Sequence, residues 1–128
     1  MRLMGIDYGS KRVGIALSDE RGEFAMPHGV LANDKALVPA IAELCRKNAV
    51  SAIVVGKSQD YHGQDNPIMK KADAFAAELR KVASAPVVFE PEFLTSREAS
   101  HIQGETAGLD ASAAALILKS YIDRFSRQ

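Results

Sequence analysis

The order of short alternating segments and longer helical segments constrains the fold of this 128-residue chain more than any other feature. Residues 2–8, 12–18 and 23–32 have the spacing and the Val, Ile and Leu content of strands, and tight turns separate them. Three strands joined by short turns predict an antiparallel meander. Beyond residue 33 the period changes, and helices alternate with short apolar strands, which predicts parallel strands with right-handed crossovers.

The complete predicted order is β-β-β-α-β-α-β-α-α. Strands four and five are predicted at 51–56 and 86–89, with a polar loop at 57–67. The helices are predicted from an N-cap at Asn33 or Asp34, over 68–79, over 96–103, and from Asp110 onward. The predicted buried face of the last helix consists of Ala114, Ile117, Leu118, Tyr121, Ile122 and Phe125. We therefore expect one α/β domain over 1–128, with a mixed five-stranded sheet and helices on both faces.

Composition excludes several classes of protein. Sixteen basic and sixteen acidic residues give a formal net charge of zero, so attraction to nucleic acid must come from a local patch. The single cysteine, Cys45, forms no internal disulfide and has the spacing of a helix core residue. The first twenty residues are patterned as strands rather than as a signal peptide, and no apolar run approaches the length of a membrane helix. These observations predict a cytoplasmic protein without a membrane anchor.

Three carboxylates lie near ends of predicted elements that this topology can bring together. Asp7 lies near the end of the first strand, Glu92 just past the end of the last strand, and Asp110 at the start of the last helix. Ligands of open α/β sheets bind outside the carboxyl ends of the strands, and clustered carboxylates are typical of Mg²⁺ or Mn²⁺ sites. Each residue also has a plain explanation: Asp7 as a turn residue, Glu92 as a solvated loop charge, and Asp110 as an N-cap.

Four basic residues lie close to these carboxylates along the chain and are candidates for phosphate contacts: Lys11, Arg12, Lys57 and Arg97. Each is equally well explained as a solvated charge in a turn. The chain has no Walker-type phosphate loop, and its three histidines are too scattered for a metal-ligand pair or a Ser-His-Asp arrangement. From the pattern alone, a metal site that handles a phosphodiester and a set of ordinary turn, cap and surface charges both remain open.

Four motifs, in this order, resemble the YqgF/RuvX family of the RNase H-like superfamily, whose members are described as Holliday-junction resolvases and pre-16S rRNA nucleases. The resemblance spans nearly the whole chain, and its motifs are residues 5–19, 53–63, 94–99 and 110–121. It implies an RNase H-like fold and identifies Asp7, Glu92 and Asp110 as the catalytic carboxylates that hold Mg²⁺ or Mn²⁺. It also implies hydrolysis of precursor rRNA or branched DNA, by a monomer or homodimer, with Lys11 and Arg12 on the phosphate backbone.

The chain departs from the family pattern around Glu92. Pro91 and Phe93 occupy the places of an acid and an arginine in the family's Asp-Glu-Arg sequence, Lys57-Ser58 replaces an apolar-Pro step, and residues 104–109 contain no basic residue. These changes leave the metal-binding carboxylates in place and weaken the nucleic-acid contacts around them. A non-catalytic RNA-binding protein on the same fold is therefore a second hypothesis. A nucleotide-binding domain of the actin and Hsp70 type is a third, disfavoured because such proteins close two domains over ATP.

Overall fold

The computed structural model describes residues 1–59, 68–93 and 107–126. In these residues one five-stranded mixed sheet carries helices on both faces. The strands are β1 (Arg2–Tyr8), β2 (Arg12–Ser18), β3 (Ala25–Ala32), β4 (Val50–Gln59) and β5 (Val87–Phe93). The helices are α1 (Leu37–Lys47), α2 (Ile68–Val82) and α3 (Ala107–Ser126).

The strand order is β3-β2-β1-β4-β5. The first three strands form the predicted antiparallel meander, and β4 and β5 join β1 as parallel neighbours. The predicted fold class is confirmed. Since β1, β4 and β5 are parallel, their carboxyl ends lie at one edge of the sheet, which we call the carboxyl edge.

Two apolar clusters hold the helices to the sheet. The larger lies under α1 and α2 and includes alternate residues of β1, Met4 and Ile6, together with the fully buried Cys45. The smaller lies under α3 and includes Leu3 of β1 together with Ala114 and Leu118. Even-numbered residues of β1 thus face α1 and α2, whereas odd-numbered residues face α3, as the period of a strand requires.

Gly5 allows α3 to pack directly on β1. A Cβ atom at this position would lie 2.7 Å from the carbonyl oxygen of Ala114 and 2.8 Å from the Cβ of Leu118. Both distances are shorter than van der Waals contact, so only glycine permits this approach of helix to strand. The middle of α3 is thereby fixed over the middle of β1.

Several predicted element ends were wrong, in the same direction. Strand β4 continues to Gln59 and β5 to Phe93, so Lys57 and Glu92 lie within strands rather than after them. The ladder continues because parallel pairing runs on through Ser58–Glu92 and Gln59–Phe93 after the apolar residues end. Backbone hydrogen bonds do not require apolar side chains, and polar strand ends are solvated at a sheet edge.

The helix ends also differ from prediction. Helix α3 begins at Ala107, which makes Asp110 its fourth residue instead of its N-cap, and Phe125 is 48% exposed rather than buried. Helix α1 begins after Ala36 without a side-chain cap. The carboxylate of Asp34 instead accepts the backbone N–H of Ala36 at 2.9 Å, a local turn that precedes the helix. The predicted helix at 96–103 lies outside the described residues.

Candidate active site

Asp7 is the next-to-last residue of β1 and lies at the carboxyl edge, on the face that α3 covers. It follows Leu3 and Gly5 in the alternation of this strand, and it is half-buried. It pairs with Gly14 in the β1–β2 ladder, so it belongs to the strand and not to the turn that follows. Asp7 is therefore a strand residue rather than a turn residue, and the role of its side chain stays a prediction.

Glycines flank Asp7 on both neighbouring strands. Gly14 of β2 is its ladder partner. On the other side, Ile6 pairs with Val55 in the parallel β1–β4 ladder, so Gly56 comes next in register beside Asp7. A glycine offers no side chain, which leaves the Asp7 carboxylate without bulky neighbours along this line of the sheet. Such an arrangement is typical of positions where a ligand or another backbone approaches closely.

Glu92 lies in β5, two strands away from Asp7 and toward the same edge. Val88 packs in the α3 cluster and Glu90 binds side chains of α3, so even-numbered positions of β5 belong to the face that α3 covers. Position 92 follows in this alternation and pairs with Ser58 in the ladder. Asp7 and position 92 therefore share one face and one edge of the sheet.

Asp110 lies in the first turns of the helix that crosses this same face. It precedes Ala114, whose carbonyl meets Gly5, by four residues, which is about one helical turn. The structure locates Asp110 by its place in α3, and it fixes the helix to β1 through Ala114 and Leu118. Among the side chains that the structure describes, no three His, Cys, Asp or Glu residues are placed to hold one metal ion.

The four basic candidates lie in different parts of the chain. Lys11 lies in the turn between β1 and β2 and Arg12 is the first residue of β2; both are exposed and within five residues of Asp7 along the chain. Lys57 lies in β4, directly after Gly56. Arg97 lies outside the described residues. Lys11 and Arg12 thus form a basic pair close to Asp7 along the chain, despite the zero net charge of the chain.

Glu90 is a buried carboxylate outside the set of predicted site residues. It is 3% exposed, accepts a hydrogen bond from Ser120 Oγ at 3.1 Å and pairs with Arg124, whose Nη2 lies 2.5 Å from Glu90 Oε1. The sequence signal was an even-numbered position two residues after Val88, hidden because the strand was predicted to end at Phe89. Glu90 ties the second half of α3 to β5.

Cys45 is not a nucleophile in this fold. Its side chain is fully buried in the core between α1 and the sheet, and burial raises the pKa of the thiol to about 11. The thiol is therefore protonated near neutral pH, whereas the thiolate is the reactive form. The prediction that Cys45 is a core residue is confirmed.

A cavity of about 320 Å³ lies on the opposite face of the sheet, between α1 and α2. Its walls include Tyr8 and Phe75, whose ring centroids are 4.8 Å apart, and its rim carries Asp34, Lys71 and Glu78. Of the predicted site residues, Asp7, Lys11 and Arg12 have side chains that the structure describes, and none of these three lines the cavity. Asp7 and Tyr8 are consecutive in β1 and therefore belong to opposite faces, which separates this cavity from the candidate site.

None of the helices in the described part of the chain is long and apolar enough to cross a bilayer.

Two solved structures show what fold this chain shares with known proteins. RuvC of Thermus thermophilus, in complex with a Holliday junction substrate, superposes with a TM-score of 0.60 at 13% identity, covering 98% of this chain and 96% of that chain. The Holliday junction resolvase of fowlpox virus gives a TM-score of 0.56 at 15% identity, covering 97% and 99%. At this level of identity the similarity establishes the RNase H-like fold.

Relatives at higher identity span almost the full chain. A protein of Pelotomaculum thermopropionicum, named "Putative pre-16S rRNA nuclease", is 36% identical over 138 residues, covering 99% of this chain and 90% of the relative. A protein of the same name from Halalkalibacterium halodurans is 32% identical over 136 residues, covering 97% of each. The family model described as "RuvX: Holliday junction resolvase" matches residues 1–124. The resemblance found in the motifs is thus confirmed, and the chain belongs to the RuvX family.

Proposed function

We propose that this chain is a cytoplasmic, divalent-metal-dependent nuclease that hydrolyses phosphodiester bonds in structured nucleic acid. The observation that carries the proposal is the shared placement of Asp7 and position 92 on one face at the carboxyl edge of the sheet. Ligands of α/β sheets bind at this edge. The family description and the names of the relatives indicate the class of reaction. We infer that this reaction takes place at the carboxyl edge of the sheet.

The donor set of the proposed site fits a hard divalent cation. Asp7, Glu92 and Asp110 offer only carboxylate oxygens, the ligands that Mg²⁺ and Mn²⁺ prefer. Three carboxylates close together repel one another unless a cation balances them. When bound there, the metal would polarise the phosphate and activate a water molecule as the nucleophile.

The residues around Asp7 have separate tasks in this proposal. Gly14 and Gly56 add no side chain beside the carboxylate on the two neighbouring strands. Lys11 in the turn after β1 and Arg12 at the start of β2 bind a neighbouring phosphate, which orients the nucleic-acid strand without selecting its sequence. Because these contacts are electrostatic, binding should weaken as salt rises.

Precursor rRNA is the substrate that we favour. The relatives at 32–36% identity are named for pre-16S rRNA, whereas the junction complexes come from structures at 12–13% identity, which establish the fold alone. A junction resolvase has to cut two strands related by symmetry and is therefore expected to act as a symmetric dimer. Trimming an RNA end makes no such demand.

An RNA-binding protein without nuclease activity is the second candidate. It is favoured by Pro91 and Phe93, which stand on either side of Glu92 where the family carries an acid and an arginine. Loss of these charges removes groups that would help to bind a metal or a phosphate. The two candidates differ in what happens when the charge of Asp7 is removed.

The test compares Asp7→Asn with Asp19→Asn on a precursor rRNA fragment and a four-way DNA junction, with Mg²⁺, Mn²⁺ or EDTA. Asp19 lies at the opposite edge of the sheet, so the control matches the change in charge but leaves the site intact. A nuclease loses at least about a hundredfold in rate with Asp7→Asn, the scale of a lost charge-stabilising group, and little with Asp19→Asn. Undiminished cleavage by Asp7→Asn would refute the proposed site. Binding without cleavage by the wild-type protein would favour the second candidate.

A further inference from the structure

One residue, Asn33, fastens the turn between β1 and β2 to the end of β3. Its side-chain Nδ2 donates a hydrogen bond to the carbonyl oxygen of Gly9 at 2.8 Å. Its backbone N–H donates a second hydrogen bond to the carbonyl oxygen of Lys11 at 3.0 Å. Asn33 therefore binds the carbonyl oxygens of both neighbours of Ser10 in the chain. It is half-buried and directly follows β3.

The turn that Asn33 holds is compact. A Cβ atom at Gly9 would lie 2.5 Å from the carbonyl oxygen of Arg12, so the chain folds back on itself too closely for any side chain. The turn begins two residues after Asp7 and carries Lys11 on its exposed side. Anchoring both of its carbonyl groups limits how far Lys11 can move relative to Asp7.

We propose that Asn33 is a positioning residue for substrate binding. It fixes the β1–β2 turn so that Lys11 binds a phosphate beside Asp7. This inference rests on the proposed nuclease function, because that function supplies the phosphate. The side chain must be a donor, since the atom it meets is a carbonyl oxygen. An amide meets this need without a charge, whereas a carboxylate would place an acceptor against an acceptor.

The chain offers a matched control in Asn48. Its Nδ2 donates to the carbonyl oxygen of Leu44 at 2.9 Å, and it is half-buried, as Asn33 is. It lies between α1 and the start of β4, at the sheet edge away from Asp7. Asn48→Ala therefore removes the same kind of hydrogen bond without touching the turn.

The first measurement is cleavage kinetics and equilibrium binding of the precursor rRNA fragment by wild type, Asn33→Ala and Asn48→Ala. We expect Asn33→Ala to raise KM and the binding Kd roughly three- to tenfold, the range that one hydrogen bond controls, with little change in kcat. Asn48→Ala should leave both unchanged. Asn33→Asp, which keeps the shape and loses the donor, should behave like Asn33→Ala.

A double-mutant cycle tests whether Asn33 acts through Lys11. In the Lys11→Ala background, Asn33→Ala should add little further loss of binding, because the group that it positions is already absent. Both single variants should also reduce the slope of log K against log salt, as expected when a phosphate contact is lost. Fully additive losses would overturn the proposal.

The outcomes separate this inference from the function on which it rests. If the wild-type protein neither binds nor cuts either substrate, the proposed function fails. If it cuts but Asn33→Ala is indistinguishable from Asn48→Ala, the positioning role alone fails. Thermal unfolding of each variant shows whether it is folded, and if Asn33→Ala is not, Asn33→Ser takes its place in the same comparison.

Discussion

At the scale of single residues, Gly5 shows how one missing side chain determines where a helix lies. We predict that Gly5→Ala destabilises the protein by about 1–3 kcal/mol, the range for overpacking a filled core. The added methyl group would press on the Ala114 carbonyl and the Leu118 Cβ, which belong to the helix and cannot rotate away. Urea unfolding measures the loss.

Gly29 provides the control for this substitution. It lies in β3, an outermost strand of the same sheet, and a Cβ atom there would meet nothing within 4 Å. Gly29→Ala should therefore change the free energy of unfolding by less than about 0.5 kcal/mol, as substitutions on free surfaces do. Equal losses at both positions would show that strand propensity, and not contact with α3, sets the cost at Gly5.

Asp19 is a residue whose charge state is tied to a turn. The backbone N–H groups of Glu23 and Phe24 donate to its Oδ1 at 2.8 and 3.1 Å. These bonds, first that of Phe24 and then that of Glu23, lower the pKa of Asp19 below its ordinary value of 3.8. A carboxyl whose folded pKa is lowered stabilises the fold above its unfolded pKa, and this stability is lost as pH falls through the folded pKa.

The lowered pKa of Asp19 predicts how the stability of a variant depends on pH. Asp19→Asn should have a lower Tm than wild type at pH 6–7, and the difference should shrink below about pH 4, where the unfolded carboxyl takes up a proton. Asp73→Asn, on the exposed surface of α2, matches the change in net charge and should show a smaller difference. A Tm difference for Asp19→Asn that does not depend on pH would contradict this account.

At the scale of elements, the pair of Glu90 and Arg124 attaches α3 to β5. We predict that Arg124→Ala costs about 1–3 kcal/mol of stability, because among the described residues it leaves the Ser120 hydroxyl as the side-chain donor to the buried Glu90 carboxylate. The value stays below that of a fully buried pair because the Arg124 side chain is 50% exposed and water can reach it. Chemical denaturation provides the measurement.

The same helix supplies the control. Lys119 pairs with Asp123 at 2.9 Å, but both side chains are largely exposed. Lys119→Ala should cost less than about 0.5 kcal/mol, as is usual for an exposed pair spaced four residues apart on a helix. If both variants lose the same stability, the Glu90 contact is not what holds α3 in place.

The existence of each described element could be predicted from the sequence, whereas element ends could not. Apolar periodicity reports burial, so it found the covered parts of β4 and β5 and missed their polar ends, where Lys57 and Glu92 lie. The start of α1 was missed for a related reason. Aspartate is a common N-cap residue, but the carboxylate of Asp34 accepts the backbone N–H of Ala36 in a turn that precedes the helix. The residue type alone does not distinguish an N-cap from such a turn.

At the scale of the whole molecule, the sequence predicted the sheet and its mixed strand directions because connection lengths determine them. It placed Asp7 correctly since that residue lies within a strong alternating pattern. The contact of Glu90 with Arg124 could not be predicted, because the two residues are 34 positions apart and no local pattern indicates a contact over that separation. The convergence of Asp7, Glu92 and Asp110 depends on such long-range geometry and stays a prediction.

That convergence has a consequence for the stability of the whole molecule that does not involve activity. If the three carboxylates form one site, metal binds the folded state and raises the free energy of unfolding by about 2.7 kcal/mol at a hundred times Kd. Wild type and Asp19→Asn should therefore gain several degrees in Tm with saturating Mg²⁺ or Mn²⁺, whereas Asp7→Asn should gain nothing. An equal metal-induced rise in Asp7→Asn would mean that the metal binds elsewhere, and the carboxylates would then have to be explained separately by their local structure.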